Sequence, residues 1–199
     1  MTIEYKYNKV ALQELRQQLK IRETALPTLK NKESALRMEV KKAKEKAARI
    51  EADYQAKLEE IGGMMRLWGE FEDDLLQLRQ VRYAVKNIAG VKTPVLKELE
   101  FEVRPFSLFQ RSSWFPDGIE ILKALTRMLI EKEVAERTVS MLEYARKKTT
   151  QKVNLYEKVQ IPAYEEAIRK IKRFLEDEEN LGKAAQKILK RRKEMQEAS

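Results

Sequence analysis

One repeat governs the first third of this chain. With Leu12 at position a and Leu15 at position d, successive a positions are Leu12, Leu19, Leu26, Glu33, Val40, Ala47, Tyr54 and Ile61. The d positions are Leu15, Arg22, Leu29, Leu36, Ala43, Ile50 and Lys57. Twelve of these fifteen are apolar, and a 3.5-residue repeat held that long commits the segment to a helix whose stripe is buried against another helix. Asn8 stands where a cap belongs, and Gly62-Gly63 ends the pattern. Glu33→Arg37, Glu45→Arg49 and Asp53→Lys57 add favourably ordered i,i+4 pairs on the outer faces. At about 1.5 Å per residue such a helix reaches about 80 Å, more than a compact domain needs. Pro27 interrupts it, removing one backbone donor, and is expected to bend it at a local cost of ~3 kcal/mol.

The rest of the chain reads as a central module and a second long helix. Met64, Trp68, Phe71, Leu75, Leu78, Val85 and Ile88 recur at spacings of three, four and seven, which predicts a helix stopped by Gly90 and kept from resuming by Pro94. Leu99, Phe101 and Val103 then alternate with Glu98, Glu100, Glu102 and Arg104, the one strand-like patch, with a hairpin partner expected after Pro105 in the run Phe106–Phe109. Asp117 and Glu120 resemble a capping box for a helix from about Gly118 to near the C-terminus, which Pro162 should bend. Its stripe includes Leu122, Leu129, Leu142, Val153, Tyr164, Ile168, Ile171 and Ile188. The expected fold is therefore mainly α. A long antiparallel two-helix coiled coil forms from segments 1–61 and 118–199, and a small α+β module with a short hairpin occupies 62–117.

Composition narrows the chemistry. Among 199 residues there is neither cysteine nor histidine, which removes disulfides, thiol nucleophiles, Cys/His zinc sites and Ser-His-Asp triads. Gly90-Val91-Lys92-Thr93 lacks the upstream glycine and the glycine–lysine adjacency of a phosphate loop. Asp73-Asp74 and Glu176–Glu179 read as solvated helix faces rather than metal or acid–base sites. No catalytic, cofactor or metal-binding residue is expected. The opening Met1-Thr2-Ile3-Glu4-Tyr5-Lys6 has no signal-peptide core, and no stretch approaches the roughly 18 apolar residues of a membrane span.

The net charge of +9 is unevenly placed. Residues 1–50 carry 13 basic and 6 acidic groups, residues 51–100 carry 7 and 10, and Lys183, Lys187, Lys190, Arg191, Arg192 and Lys193 follow one another with no acid between them. The aromatics cluster in the middle, away from this basic tail, so stacking platform and phosphate footprint do not coincide and direct nucleic-acid binding is not expected. Lys190, Arg191, Arg192 and Lys193 are candidate contacts to a protein partner, and Phe101 and Phe106 are candidate contacts of the central module. A free-standing coiled-coil adaptor or nucleic-acid-associated scaffold is the competing reading.

Particular motifs carry a resemblance. Val153-Asn154-Leu155-Tyr156-Glu157, Ile161-Pro162 and Glu165-Glu166-Ala167-Ile168 resemble the C-terminal signature of the family of D subunits of V-type and archaeal-type rotary ATPases. Leu12, Leu15 and Leu19, the run Leu29-Lys30-Asn31-Lys32-Glu33 with Leu36, and the central Asn87-Ile88 and Val91-Lys92-x-Pro94 are similar to that family's opening helix and middle module. Tyr7-Asn8 and Ala25-Leu26-Pro27 depart from the pattern and suggest a divergent bacterial branch. The resemblance implies a non-catalytic central rotor axle lodged in a hexamer of A and B subunits. It also implies that the middle module binds the small F subunit and seats on the socket subunit of the membrane ring, within a peripheral complex on the cytoplasmic face.

Overall fold

The computed structural model describes residues 3–63, 68–69, 71, 75–106 and 113–197. In chain order its elements are helix α1 (Lys9–Gly62), strands β1 (Leu76–Ile88) and β2 (Val91–Val103), helix α2 (Phe115–Asn154), a π-helical turn (Leu155–Gln160) and helix α3 (Ile161–Glu197). The chain is mainly helical, with an antiparallel two-stranded hairpin between its long helices in chain order. Asn8 caps α1 as expected: its Oδ1 accepts the N–H of Ala11 at 2.7 Å and its carbonyl accepts that of Leu12 at 3.1 Å. Pro27 lies inside α1.

Two compact units divide the chain. One joins the residues up to Asn31 with those from Thr149 onward, and the other runs from Lys32 to Lys148. In the first, Leu15 packs with Ala167, Ile168 and Ile171, and Leu12, Leu19, Tyr164 and Leu175 close around them. Ile3 and Tyr5, ahead of α1, lie on the same cluster. Further along α1, Arg22 meets Gln160 and Lys30 meets Glu157, so partner numbers fall as α1 advances and the helices run antiparallel. In the second unit, Leu36, Val40 and Leu142 form the core, with Ala43, Ala145 and the hairpin residues Ile88, Ala89 and Val91 against them. Lys44 pairs with Glu143 and Glu51 with Lys132, each at 2.6 Å, and again the order is antiparallel.

The expected central helix is overturned over residues 76–88, which form β1. Pairing runs Leu76↔Val103, Leu78↔Phe101, Val81↔Leu99, Tyr83↔Leu96 and Val85↔Pro94, with irregularities between Leu78 and Gln80 and between Arg82 and Tyr83. The first leaves Arg79 as an extra residue on β1; the second leaves Lys97 extra on β2. That slip explains the misreading. Leu76 and Leu78 alternate, the bulge adds one residue, and Val81, Tyr83 and Val85 alternate again, so a period of two takes on spacings of three and four. The partner of β2 is therefore the preceding strand, not the run after Pro105, of which 107–109 lie outside the described residues, as do Met64 and Asp73-Asp74. Gly90 is a turn rather than a helix stop: Ala89 and Gly90 both have positive φ, 50° and 81°, as the mirror-image two-residue hairpin turns require.

The second long helix starts earlier than expected. Phe115 opens α2, Pro116 sits in its first turn, and the Gly118 N–H bonds the Trp114 carbonyl at 2.9 Å. Asp117 thus lies within the first turn rather than at the cap, and Glu120 pairs with Lys123 at 2.7 Å. Near Pro162 the ladder widens: the Ile161 N–H bonds the Tyr156 carbonyl, five residues back. A wider turn suits proline, whose ring collides with the carbonyl four residues back in an α ladder.

Candidate interaction surfaces

Among the described residues the titratable groups do not assemble a reaction centre. Among the described residues no three Asp, Glu, His or Cys side chains gather in a way that could hold a metal. Every carboxyl with a resolved shift is displaced downward by a lysine that it faces: Glu51 by Lys132, Glu143 by Lys44, Glu166 by Lys170 and Glu179 by Lys183. A carboxylic acid serving as a proton donor at neutral pH needs the opposite displacement. These are ion pairs. Tyr5 is raised, by burial first and then by its hydrogen bond with Tyr7. No helix among the described residues is long and apolar enough to cross a membrane.

The end of α3 is one surface. From Glu176 to Gln196 every residue is exposed, including the large apolar side chains of Leu181, Ile188, Leu189 and Met195. Leu181, Ile188 and Met195 are seven apart, the spacing of one heptad position, yet among the described residues they are left exposed. Lys190 reaches Glu194 at 3.9 Å, and Lys183 pairs with Glu179 at 2.7 Å. Arg191, Arg192 and Lys193 lie beside them, all exposed. Basic charge and uncovered apolar stripe thus share one helix end.

The hairpin presents the second surface. Residues opposite each other across two strands share a face, and alternate residues return to it. Leu78, Val81, Tyr83 and Val85 therefore stand with Phe101, Leu99, Leu96 and Pro94. Tyr83 and Val85 are 55% and 71% exposed. Near the turn the opposite face is the packed one, where Thr93 is buried and donates to the Lys86 carbonyl at 3.0 Å. Arg79 grips Glu102 with two hydrogen bonds, 2.6 and 3.0 Å, and Arg82 reaches Glu98 and Glu100. These cross-strand pairs hold the register in water.

Phe101 and Phe106 are not brought together. Phe101 is half-buried on the apolar hairpin face, opposite Leu78. Phe106 belongs to an internal cluster with Leu75, Phe115 and Ile119, its ring 5.9 Å from that of Phe115. Phe71 stacks on Phe115 at 4.8 Å and Trp114 adds an edge at 5.6 Å.

Arg22 was missed as an interaction residue. It occupies a d position of the first helix, yet its guanidinium lies 4.5 Å from the Tyr164 ring centroid and 5.9 Å from that of Tyr156, while Nε donates to Gln160 Oε1 at 2.7 Å. A cation in an apolar register, with tyrosines in the opposing stripe, was the signal available.

A family model described as that of the ATP synthase D subunit matches residues 11–191. The V-type ATP synthase D subunit of Borreliella burgdorferi is 33% identical over 189 residues, covering 93% of each chain. That of Chlamydia pneumoniae is 27% identical over 203 residues, covering 100% of this chain and 97% of its own. That of Chlamydia trachomatis serovar L2 is 29% identical over 186 residues, covering 89% and 90%.

Proposed function

The chain belongs to the family of ATP synthase D subunits, and from that membership we propose that it is the central axle of a V-type rotary ATPase, turning with the membrane ring and carrying torque to or from the catalytic hexamer. Segments 1–61 and 118–199 form the axle, and 62–117 forms the partner-binding module. The A and B subunits surround the axle and hold the nucleotide chemistry, so this chain is not itself catalytic. The small F subunit and the socket subunit of the ring meet the module, on the cytoplasmic face of the membrane. Family membership argues against the free-standing adaptor or nucleic-acid scaffold.

The observation that supports this reading best is the end of α3, where Leu181, Ile188 and Met195 form an uncovered heptad stripe beside Lys190, Arg191, Arg192 and Lys193. A helix end with that much exposed apolar surface fits a protein sleeve. Its charges suit rotation, because exposed ion pairs are worth about 0–1 kcal/mol each and can be exchanged at successive angles without locking the shaft. The apolar hairpin face with Phe101 supports a second contact, on the module. The test is to mix the purified chain with A and B subunits and follow assembly and ATP turnover. A stoichiometric complex with raised turnover is expected; no association with an A/B hexamer would refute the reading.

A further inference from the structure

In the first unit, both antiparallel helices lose their regular hydrogen-bond ladder at the same level. On α1, Pro27 has no N–H to offer the Glu23 carbonyl. Just before it, side chains intercept backbone carbonyls: Thr24 Oγ1 donates to the Lys20 carbonyl and Arg22 Nη1 to that of Gln18, each at 2.8 Å. On the opposing chain, Leu155–Gln160 is the π-helical turn. Arg22–Gln160 and Lys30–Glu157 tie these two stretches side by side. Either interruption alone would be splinted by an intact neighbour. Here neither neighbour is intact.

Packing is thin at the same place. Between Leu15 and Asn31, α1 buries no side chain, and none is buried from Asn154 through Glu166 on the other side. A groove of about 650 Å³ opens there, lined by Ile21, Thr24, Ala25, Leu29, Lys152 and Tyr156 among others. Beside half-buried Leu26 and Leu29, the helices are linked here by polar and cation–π contacts centred on Arg22. A few residues away, at Leu15, Ala167, Ile168 and Ile171, the same two helices share a closed apolar core. Local opening is cheapest where buried apolar contacts are few and the ladder is broken, and sharp helix deformation localises at prolines and π turns.

We infer that residues 22–30 of α1 and Leu155–Gln160 form a compliant joint, at which bending and twisting of the helix pair concentrate, with Arg22 as the clasp that returns it to register. A guanidinium can slide across the faces of Tyr156 and Tyr164 without leaving a cavity, which a leucine knob cannot do. Use of this joint in torque transmission rests on the axle reading; its existence does not, and is tested on the chain alone.

Hydrogen exchange on the full-length chain should show amides 155–161 exchanging at least about tenfold faster than amides 167–172 of the same helical run. The chain has no cysteine, so spin labels can be placed cleanly by substitution. Labels at Glu14 and Ser34 span the joint; labels at Met38 and Leu58, the same number of residues apart, avoid it. The first pair should give the broader distance distribution. Pro27→Ala, which restores the missing donor and cannot weaken the helix, should narrow it. Equal exchange at 155–161 and 167–172, or a Glu14–Ser34 distribution no broader than the control and untouched by Pro27→Ala, would overturn the joint. A chain that passes these measurements yet never associates with A and B subunits would sink the axle and leave the joint standing.

Discussion

Arg22, at a coiled-coil d position, donates its Nε–H to Gln160 Oε1 at 2.7 Å while its guanidinium lies over the ring of Tyr164. A charged residue at a seam position ordinarily weakens the seam. Here the opposing stripe answers it with two aromatic faces and an amide. Replacing Arg22 with alanine should therefore cost about 1–2 kcal/mol, from one hydrogen bond and the cation–π contacts. Arg22→Lys should recover less than half of that, because an ammonium has no planar fork to stack and donate at once. Chemical denaturation of the three chains checks both.

Burial separates residues that hold the fold from those offered to a partner. Leu142 is fully buried, and Leu142→Ala should cost about 2–5 kcal/mol. Ile188 is 55% exposed, and Ile188→Ala should change stability by less than about 0.5 kcal/mol. In assembly with A and B subunits the order should reverse. Ile188→Ala, and charge reversal of Lys190, Arg191, Arg192 and Lys193, should weaken the complex while helix content stays constant. Unchanged affinity and torque on charge reversal would remove the basic tail from the interface.

The two phenylalanines of the central module should part company on mutation. Phe101→Ser removes a half-buried side chain from the apolar face of the hairpin and should release a module partner with the fold intact. Phe106→Ser opens the cluster around Phe115 and should lower Tm by several degrees, at about 2–4 °C per kcal/mol for a chain of this size. Thermal melts with partner pull-down distinguish these outcomes.

A methyl group has no room at Gly118. A Cβ there would sit 2.5 Å from Trp114 Cζ3 and 2.8 Å from Phe71 Cε2. Gly118→Ala should destabilise by about 1–3 kcal/mol through overpacking and shift the tryptophan emission, since Trp114 must move.

Stability should hold level around neutral pH, because the chain has no histidine. Below that range it should fall. Lys132 holds the folded Glu51 carboxyl under its ordinary value, so that contribution is present above the unfolded pKa and is lost as pH drops through the folded one. Glu51 in turn raises Lys132, a contribution complete below the ordinary lysine value and lost as pH rises through the raised one. Glu51→Gln should lower the middle of a Tm-against-pH curve and flatten its fall toward both ends, because the contribution it removes is present only between them.

Much of this was legible in the residues. Heptads at Leu12, Leu15, Leu19 and Leu36 announced α1, and Asn8 announced its cap, because helix periodicity and capping are local properties of the chain. The hairpin was half legible. Leu99, Phe101 and Val103 showed a strand, but Leu76–Ile88 was disguised by the bulge at Arg79, and its pairing is a relation between residues up to 27 apart in sequence. Phe106 could not be told from Phe101 by type or context; only the position of Phe115 assigns Phe106 to an internal cluster.

By itself the sequence determined that two long amphipathic helices must find each other and that no thiol or imidazole chemistry is available, since periodicity and composition need no partner to be read. The tertiary structure alone decided which apolar residues are spent on the core and which remain uncovered. Leu181, Ile188 and Met195 look like Leu15 or Ile171 in the sequence, and differ because among the described residues they stay exposed. It also decided that Pro27 and the π-helical turn fall at one level. Register between two helices is fixed by how side chains such as Arg22 and Tyr164 interlock, which no single helix encodes.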